Sequence, residues 1–73
     1  MDIIVNGQPK TLTTTSVSYA DIVILAGCPF RPYYSITYRR GATENREGIL
    51  AYGQTVEVVA GMVFNLAYTG DAG

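Results

Sequence analysis

Histidine and tryptophan are absent from this 73-residue sequence, and it has one cysteine, Cys28, and one lysine, Lys10. Without histidine there is no Ser-His-Asp arrangement, no histidine metal ligand and no side chain of the kind that usually serves as general base. A lone cysteine excludes an internal disulfide and a multi-cysteine metal site within one chain. We therefore expect a protein that is not an enzyme, with no catalytic residue and no bound metal.

Charge and long apolar runs are also scarce. Charged residues make up 15% of the sequence, and the net charge is −1 with a pI near 5.0. This balance gives no electrostatic basis for binding nucleic acid or an anionic membrane surface. No apolar run approaches the roughly 20 residues that a membrane-spanning helix needs, and the sequence starts with Met1-Asp2 rather than a basic signal region. We expect a cytoplasmic protein that binds neither nucleic acid nor membrane.

Apolar and aromatic residues, in contrast, are abundant enough to build a core. Hydrophobic residues make up 48% of the sequence and include six tyrosines and two phenylalanines. The length predicts one domain, close to the lower limit at which a core stabilises a chain without disulfides or metals. Cys28 lies beside Pro29 and Phe30, with no histidine or cluster of cations nearby to generate a thiolate. We therefore interpret it as a small buried apolar residue rather than a nucleophile.

The N-terminal segment has the pattern of a β-hairpin. Residues 2–5 form an apolar strand, and Asn6-Gly7 follows as a tight turn, since both residues tolerate positive φ. A return strand is expected over 10–14, with Leu12 in the core. Pro9 has no N–H for a ladder, so it is restricted to the turn side or to an edge.

A short helix follows the hairpin. Ser18 and Asp21 have the spacing of a capping box, in which the serine side chain and the acidic side chain each bond a free backbone N–H. Gly27 is a suitable C-terminal stop. The pattern predicts a helix from about Tyr19 to Ala26, too short to be stable unless it packs on a sheet.

The second half of the sequence predicts three more strands. Large side chains alternate with small or polar ones over 33–39 and 62–68, which is typical of half-buried strands. A polar loop at 41–48, a short apolar piece at 49–52 and a short strand at 55–59 lie between them. Arg39 and Arg40 form a small cationic spot at the end of the 33–39 strand.

These elements predict an α+β fold. A mixed sheet of four or five strands is expected to pack one short helix across one face, with the first and last strands adjacent and parallel in its middle. This is the β-grasp arrangement. The residues expected in its core are Ile3, Val5, Leu12, Val17, Ile22, Leu25, Ile36, Tyr38, Val58, Phe64 and Leu66.

The sequence ends in a run of small residues. Gly70, Asp71, Ala72 and Gly73 can neither pack nor hold a fixed backbone, so we expect a domain over 1–69 and a flexible tail over 70–73. Such a tail can enter a narrow channel that bulky side chains would block, and the terminal carboxylate could then be the working group. The alternative is a loose chain end without a role.

Several blocks of the sequence resemble, in order and spacing, the bacterial multiubiquitin-domain family. The blocks are Ile4-Val5-Asn6-Gly7-Gln8-Pro9, Ser18-Tyr19-Ala20-Asp21-Ile22-Val23, Thr37-Tyr38-Arg39-Arg40-Gly41, Glu47-Gly48, Gly53-Gln54-Thr55-Val56 and Gly61-Met62-Val63-Phe64-Asn65. They extend over nearly the whole chain. The family comprises ubiquitin-like proteins found beside activating enzymes, conjugating enzymes and metalloprotease deubiquitinases, which the resemblance implies as partners together with protein targets.

The resemblance implies a protein modifier of a bacterial ubiquitination-like pathway, with a role in antiphage defence. Gly73 would be adenylated by the activating enzyme, passed on as an ester and joined to a target amine by an isopeptide bond. The activating enzyme would use the ATP, so the modifier itself would need no cofactor. The residues that enter the enzyme channel would be Thr69, Gly70, Asp71 and Ala72.

Two further sets of residues are candidate sites in such a modifier, one as acceptor amines and one as a partner surface. Lys10 carries the only side-chain amine, so chains of the modifier could form only there or on the Met1 amine. The solvent side of the last strand, at Val63, Asn65 and Ala67 with Arg39 nearby, is the expected partner surface.

Two other functions stay open at this point. A sulfur carrier with a C-terminal thiocarboxylate would share the Val-Asn-Gly segment, the β-grasp fold and the terminal glycine, although this sequence lacks a terminal Gly-Gly pair. A β-grasp domain that binds partners without covalent transfer would need no tail.

Overall fold

The computed structural model describes residues 1–29, 34–41 and 46–68. The elements are β1 (Asp2–Val5), β2 (Gln8–Thr11), β3 (Ser16–Ser18), α1 (Tyr19–Leu25), β4 (Tyr34–Arg39), β5 (Gly48–Leu50), β6 (Thr55–Glu57) and β7 (Val63–Tyr68). The main sheet has the order β2-β1-β7-β4-β5, and β3 and β6 form a separate antiparallel pair. The fold is an α+β, ubiquitin-like β-grasp, as predicted.

The first and last strands lie side by side at the centre of the main sheet. β1 and β7 run parallel, with Ile4 opposite Val63 and Val5 opposite Phe64. The other pairings in this sheet are antiparallel. The sheet is therefore mixed, and the predicted parallel neighbours are confirmed.

The helix begins as its sequence predicts. Ser18 Oγ accepts a hydrogen bond from the Asp21 N–H at 3.1 Å, and Asp21 Oδ2 accepts one from the Ser18 N–H at 3.0 Å. These two bonds satisfy donors that a helix start leaves free. α1 ends at Leu25, one residue earlier than predicted, because Ala26 is its C-cap and Gly27 follows with φ +76°.

The return strand of the hairpin lies earlier than predicted. Pairing starts directly after the two-residue turn, with Val5 opposite Gln8, so β2 spans Gln8–Thr11 rather than 10–14. Pro9 is tolerated within it because β2 is an edge strand and Pro9 occupies a position whose missing N–H faces away from β1.

Other boundaries also differ from the predictions. The strand β3 was not predicted; its pairing with β6 places Val17 opposite Val56. The apolar piece predicted at 49–52 contributes to the strand β5, which covers 48–50. β6 covers 55–57 rather than 55–59, and β7 begins at Val63. Residue 33, the first residue of the strand predicted over 33–39, lies outside the described residues, as do residues 42–45 of the predicted polar loop.

The core lies between α1, the main sheet and the β3–β6 pair. Of the predicted core residues, Leu12, Leu25 and Leu66 are only partly buried and pack against the core, and the others are buried. The buried residues that were not predicted are Tyr19, Val23, Leu50, Val56, Met62 and Val63. Cys28 is half-buried against this core, and its Sγ lies 3.9 Å from the Ala26 carbonyl oxygen. No helix in the described part of the chain is long and apolar enough to cross a membrane.

Candidate functional site

β7 leads to the predicted tail. This strand pairs with β4 over its full length, from Arg39 opposite Val63 to Tyr34 opposite Tyr68. Tyr68 is its last residue and is 56% exposed. The candidate site residues Thr69, Gly70, Asp71, Ala72 and Gly73 lie outside the described residues, and the predicted boundary between 1–69 and 70–73 lies there too. Their roles stay predictions.

An aromatic pair supports the end of β7. The rings of Tyr34 and Tyr68, which are directly opposite in the register, have centroids 5.6 Å apart. The Tyr34 hydroxyl donates a hydrogen bond to the Pro29 carbonyl oxygen at 3.0 Å. Aromatic pairs at this spacing attract each other beyond simple burial of area. The last residue of the strand therefore has a ring contact to β4 as well as its ladder position.

The start of β4 is in turn tied to the helix. The buried hydroxyl of Tyr19 donates to the Tyr34 carbonyl oxygen at 3.1 Å and accepts from the Tyr34 N–H at 2.8 Å. The Tyr19 ring also packs edge-on against Tyr52, with centroids 5.3 Å apart. Through Tyr34, the first residue of α1 thus helps to place the strand that carries Tyr68.

The predicted partner surface lies on the face of the sheet opposite the core and needs one correction. Asn65, Ala67 and Arg39 are exposed on this outer face. Val63 belongs to the same face but is only 6% exposed, so its side chain offers almost no area to a partner. The reason is its place in the central strand, where the register puts it between Ile4 and Arg39. Whether the other three residues bind a partner is untested and stays a prediction.

An open groove of about 460 Å³ extends this outer face towards β5. Its lining residues are Thr37, Tyr38, Arg39, Glu47, Gly48, Ile49 and Asn65. Ile49 is 68% exposed and lies opposite Thr37. Sequence reasoning did not assign Ile49 to this surface, because only the register of β5 against β4 shows which face it occupies. The groove offers a cation, a carboxylate, an amide and an exposed aliphatic side chain, which suits recognition of another protein.

Both candidate acceptor amines belong to the N-terminal hairpin. The Met1 nitrogen donates to the Leu12 carbonyl oxygen at 3.1 Å, and the Leu12 N–H donates to the Met1 carbonyl oxygen at 2.7 Å. Lys10 lies opposite the buried Ile3, on the helix side of the edge strand, and is half-buried. The use of either amine for chains stays a prediction.

The described residues contain no group of three or more histidine, cysteine, aspartate and glutamate side chains placed to hold a metal ion. The expectations that the protein is not an enzyme and needs no metal or cofactor are not tested by this finding. They stay predictions.

Comparison with known proteins identifies the family. The Multiubiquitin family matches the chain over residues 1–70, which includes all elements of the β-grasp. No curated protein and no solved structure gives a significant match. The family match agrees with the observed fold, a mixed sheet in which the first and last strands are parallel neighbours. The chain therefore belongs to the Multiubiquitin family and is a ubiquitin-like protein.

Proposed function

We propose that this protein is a ubiquitin-like modifier whose Gly73 carboxylate is activated and joined to target amines by bacterial activating and conjugating enzymes. The observation that carries the proposal is the family match over residues 1–70 on a β-grasp whose central strand β7 ends at Tyr68, five residues before Gly73. Modification at a terminal glycine needs this combination, a stable domain followed by a few small residues.

Chain geometry supports the proposal. Five residues span at most about 17 Å when fully extended, which sets the greatest distance between Tyr68 and the Gly73 carboxylate. Residues 70–73 include two glycines and one alanine, so their side chains would not obstruct a narrow enzyme channel. The proposed role of Thr69, Gly70, Asp71 and Ala72 is to bridge this distance.

The proposed reaction has three steps. A carboxylate oxygen of Gly73 attacks the α-phosphorus of ATP on the activating enzyme, an O–P bond forms, and pyrophosphate leaves. A cysteine thiolate of the enzyme attacks the resulting acyl adenylate, forms a thioester and releases AMP. An amine of the target then attacks the thioester, forms the amide and loses a proton, and the thiol is released. The modifier is a substrate in every step, so it needs neither a general base nor a cofactor of its own.

The remaining expectations belong to the same proposal. A metalloprotease of the deubiquitinase type would hydrolyse the amide bond between Gly73 and the target. Because activation consumes ATP, the proposed place of action is the cytoplasm, within a bacterial pathway that has a role in antiphage defence. The exposed residues Arg39, Asn65 and Ala67 and the groove that contains Ile49 are the proposed contact surface for the enzymes.

The test compares the chain 1–73 with the chain 1–72 in an ATP–pyrophosphate exchange assay with a bacterial ubiquitin-type activating enzyme. We expect exchange with 1–73 and its loss with 1–72, while both chains unfold at the same temperature because Gly73 lies beyond Phe64, the last buried residue of the described chain. Equal exchange with 1–72 would refute the proposal. A mass gain at Gly73 from exchange of oxygen for sulfur would instead identify a sulfur carrier. Full biological activity of a chain truncated before Gly70 would identify a non-covalent binding domain.

A further inference from the structure

Asn6 connects the N-terminal hairpin to the last strand through two hydrogen bonds. Its backbone N–H donates to the Phe64 carbonyl oxygen at 2.9 Å, and its side-chain Oδ1 accepts from the Leu66 N–H at 2.9 Å. The second bond joins residues 60 positions apart in the sequence. Asn6 therefore contacts β7 close to the point where the strand leads to the tail.

The side-chain oxygen takes the place of a backbone carbonyl. In a regular parallel ladder, a residue that donates to Phe64 would accept from Leu66 through its own carbonyl oxygen. Asn6 has φ +51° because the chain turns at this residue, and β1 ends at Val5. Its Oδ1, rather than its carbonyl oxygen, therefore accepts the bond from Leu66, and the contact between the hairpin and β7 continues beyond the end of β1.

Few residue types can meet both requirements at position 6. Positive φ is strained for most side chains, and asparagine, aspartate and glycine tolerate it best. Glycine has no side-chain acceptor, whereas aspartate keeps a side-chain oxygen at nearly the same position as the asparagine Oδ1. Glycine would be sufficient for the turn alone, so the asparagine side chain adds a hydrogen bond that the turn itself does not require.

We propose that Asn6 is a positioning residue for the tail. By bonding Leu66, it fixes the part of β7 that has β4 on one side and no strand of the described chain on the other. It thereby fixes Tyr68, from which the five tail residues follow in the sequence. The role in activation rests on the function proposed above. In that reaction, Asn6 holds β7 in place while the Gly73 carboxylate approaches the activating enzyme's ATP, and Asn6 itself touches no reacting atom.

Hydrogen exchange tests the structural part directly. Loss of one hydrogen bond changes a local opening equilibrium by about five- to tenfold, so in Asn6→Gly the Leu66 amide should exchange about that much faster. Asn6→Asp should keep the protection of the wild type. As a control for general destabilisation, Val56→Ala removes core contacts in the β3–β6 pair and should not affect Leu66 selectively. Unchanged Leu66 exchange in Asn6→Gly, or equal acceleration in Asn6→Asp, would overturn the inference.

Steady-state pyrophosphate exchange tests the positioning role. The outer face with Arg39 and Asn65 is unchanged in Asn6→Gly, so KM should stay within about twofold, while kcat should fall about fivefold and recover in Asn6→Asp. An unchanged kcat in Asn6→Gly, or an equal fall in Val56→Ala, would refute this role. If wild-type 1–73 supports no exchange at all, the proposed function fails, whereas Leu66 protection still decides whether Asn6 holds β7.

Discussion

Gly48 gives a sharp test of how β5 packs against β4. It lies opposite Tyr38, and a Cβ at this position would be 2.8 Å from the Tyr38 hydroxyl oxygen and 3.1 Å from its Cζ. The Tyr38 ring has little freedom to move, because it is 7% exposed and packs against Phe64 with centroids 6.1 Å apart. The glycine therefore provides the space that the tyrosine occupies.

Two effects of Gly48→Ala on the free energy of unfolding have opposite signs. Without steric conflict, alanine in a strand is more stable than glycine by about 0.5–1 kcal/mol, because less backbone entropy is lost on folding. Overpacking of a core position costs about 1–3 kcal/mol. The steric effect is the larger one, so we expect a net destabilisation of about 1 kcal/mol. In a domain of this size, that lowers Tm by about 4–8 °C.

The assay is thermal unfolding followed by circular dichroism, with Tyr38→Phe as the matched background. Removal of the hydroxyl leaves Cζ as the nearest atom at 3.1 Å, a contact that small shifts can relieve. Gly48→Ala should therefore cost about 1 kcal/mol less in the Tyr38→Phe background than in the wild type, a coupling typical of residues in contact. A higher Tm for Gly48→Ala alone, or an equal change in both backgrounds, would refute the reasoning.

Substitutions at three further positions test other parts of the structure. Tyr19→Phe removes both hydrogen bonds to the Tyr34 backbone and should lower the free energy of unfolding by about 1–3 kcal/mol. Urea denaturation measures this change, and an unchanged midpoint would contradict the two bonds. Ser18→Ala removes the N-cap acceptor and should cost about 1 kcal/mol by the same measurement, whereas Ser18→Asp should cost much less; equal losses would argue against the cap. Lys10→Arg keeps the charge but removes the only side-chain amine, so chains linked through side chains should disappear from conjugation reactions analysed by gel; their persistence with a blocked Met1 amine would exclude Lys10.

The features that sequence predicts well are local ones. The turn at Asn6-Gly7 and the capping box of Ser18 and Asp21 depend on residues within three positions of each other, and both are present in the structure. Alternation of large and small residues likewise placed Ile36 and Phe64 in the core. In each case the chemistry of the residue types and their spacing is sufficient to specify the structure.

The features that sequence reasoning missed depend on neighbours far away in the chain. β3 is three residues long and becomes a strand only because β6, almost 40 positions later, pairs with it. The alternation of side chains along β7 assigns Val63 to the outer face, yet Val63 is buried because it lies between Ile4 and Arg39. No sequence pattern around Ile49 indicates which face of the sheet its side chain occupies. Strand register, which depends on pairing and not on composition, decides all three.

The same dependence applies to the candidate site, because the β-grasp places its last strand beside its first. Along one face of β7, exposure rises from 0% at Phe64 through the half-buried Leu66 to 56% at Tyr68. The strand therefore changes from core to surface within four residues, and Asn6 bonds it at the midpoint of this change. Opening of the Phe64 end requires loss of the core and so of the whole fold, whereas the Tyr68 end is held by β4 and, through Leu66, by one side chain of the hairpin. Global unfolding of the domain and local opening at the Tyr68 end of β7 are thus separable events, and Asn6, in the first turn of the chain, acts on the second.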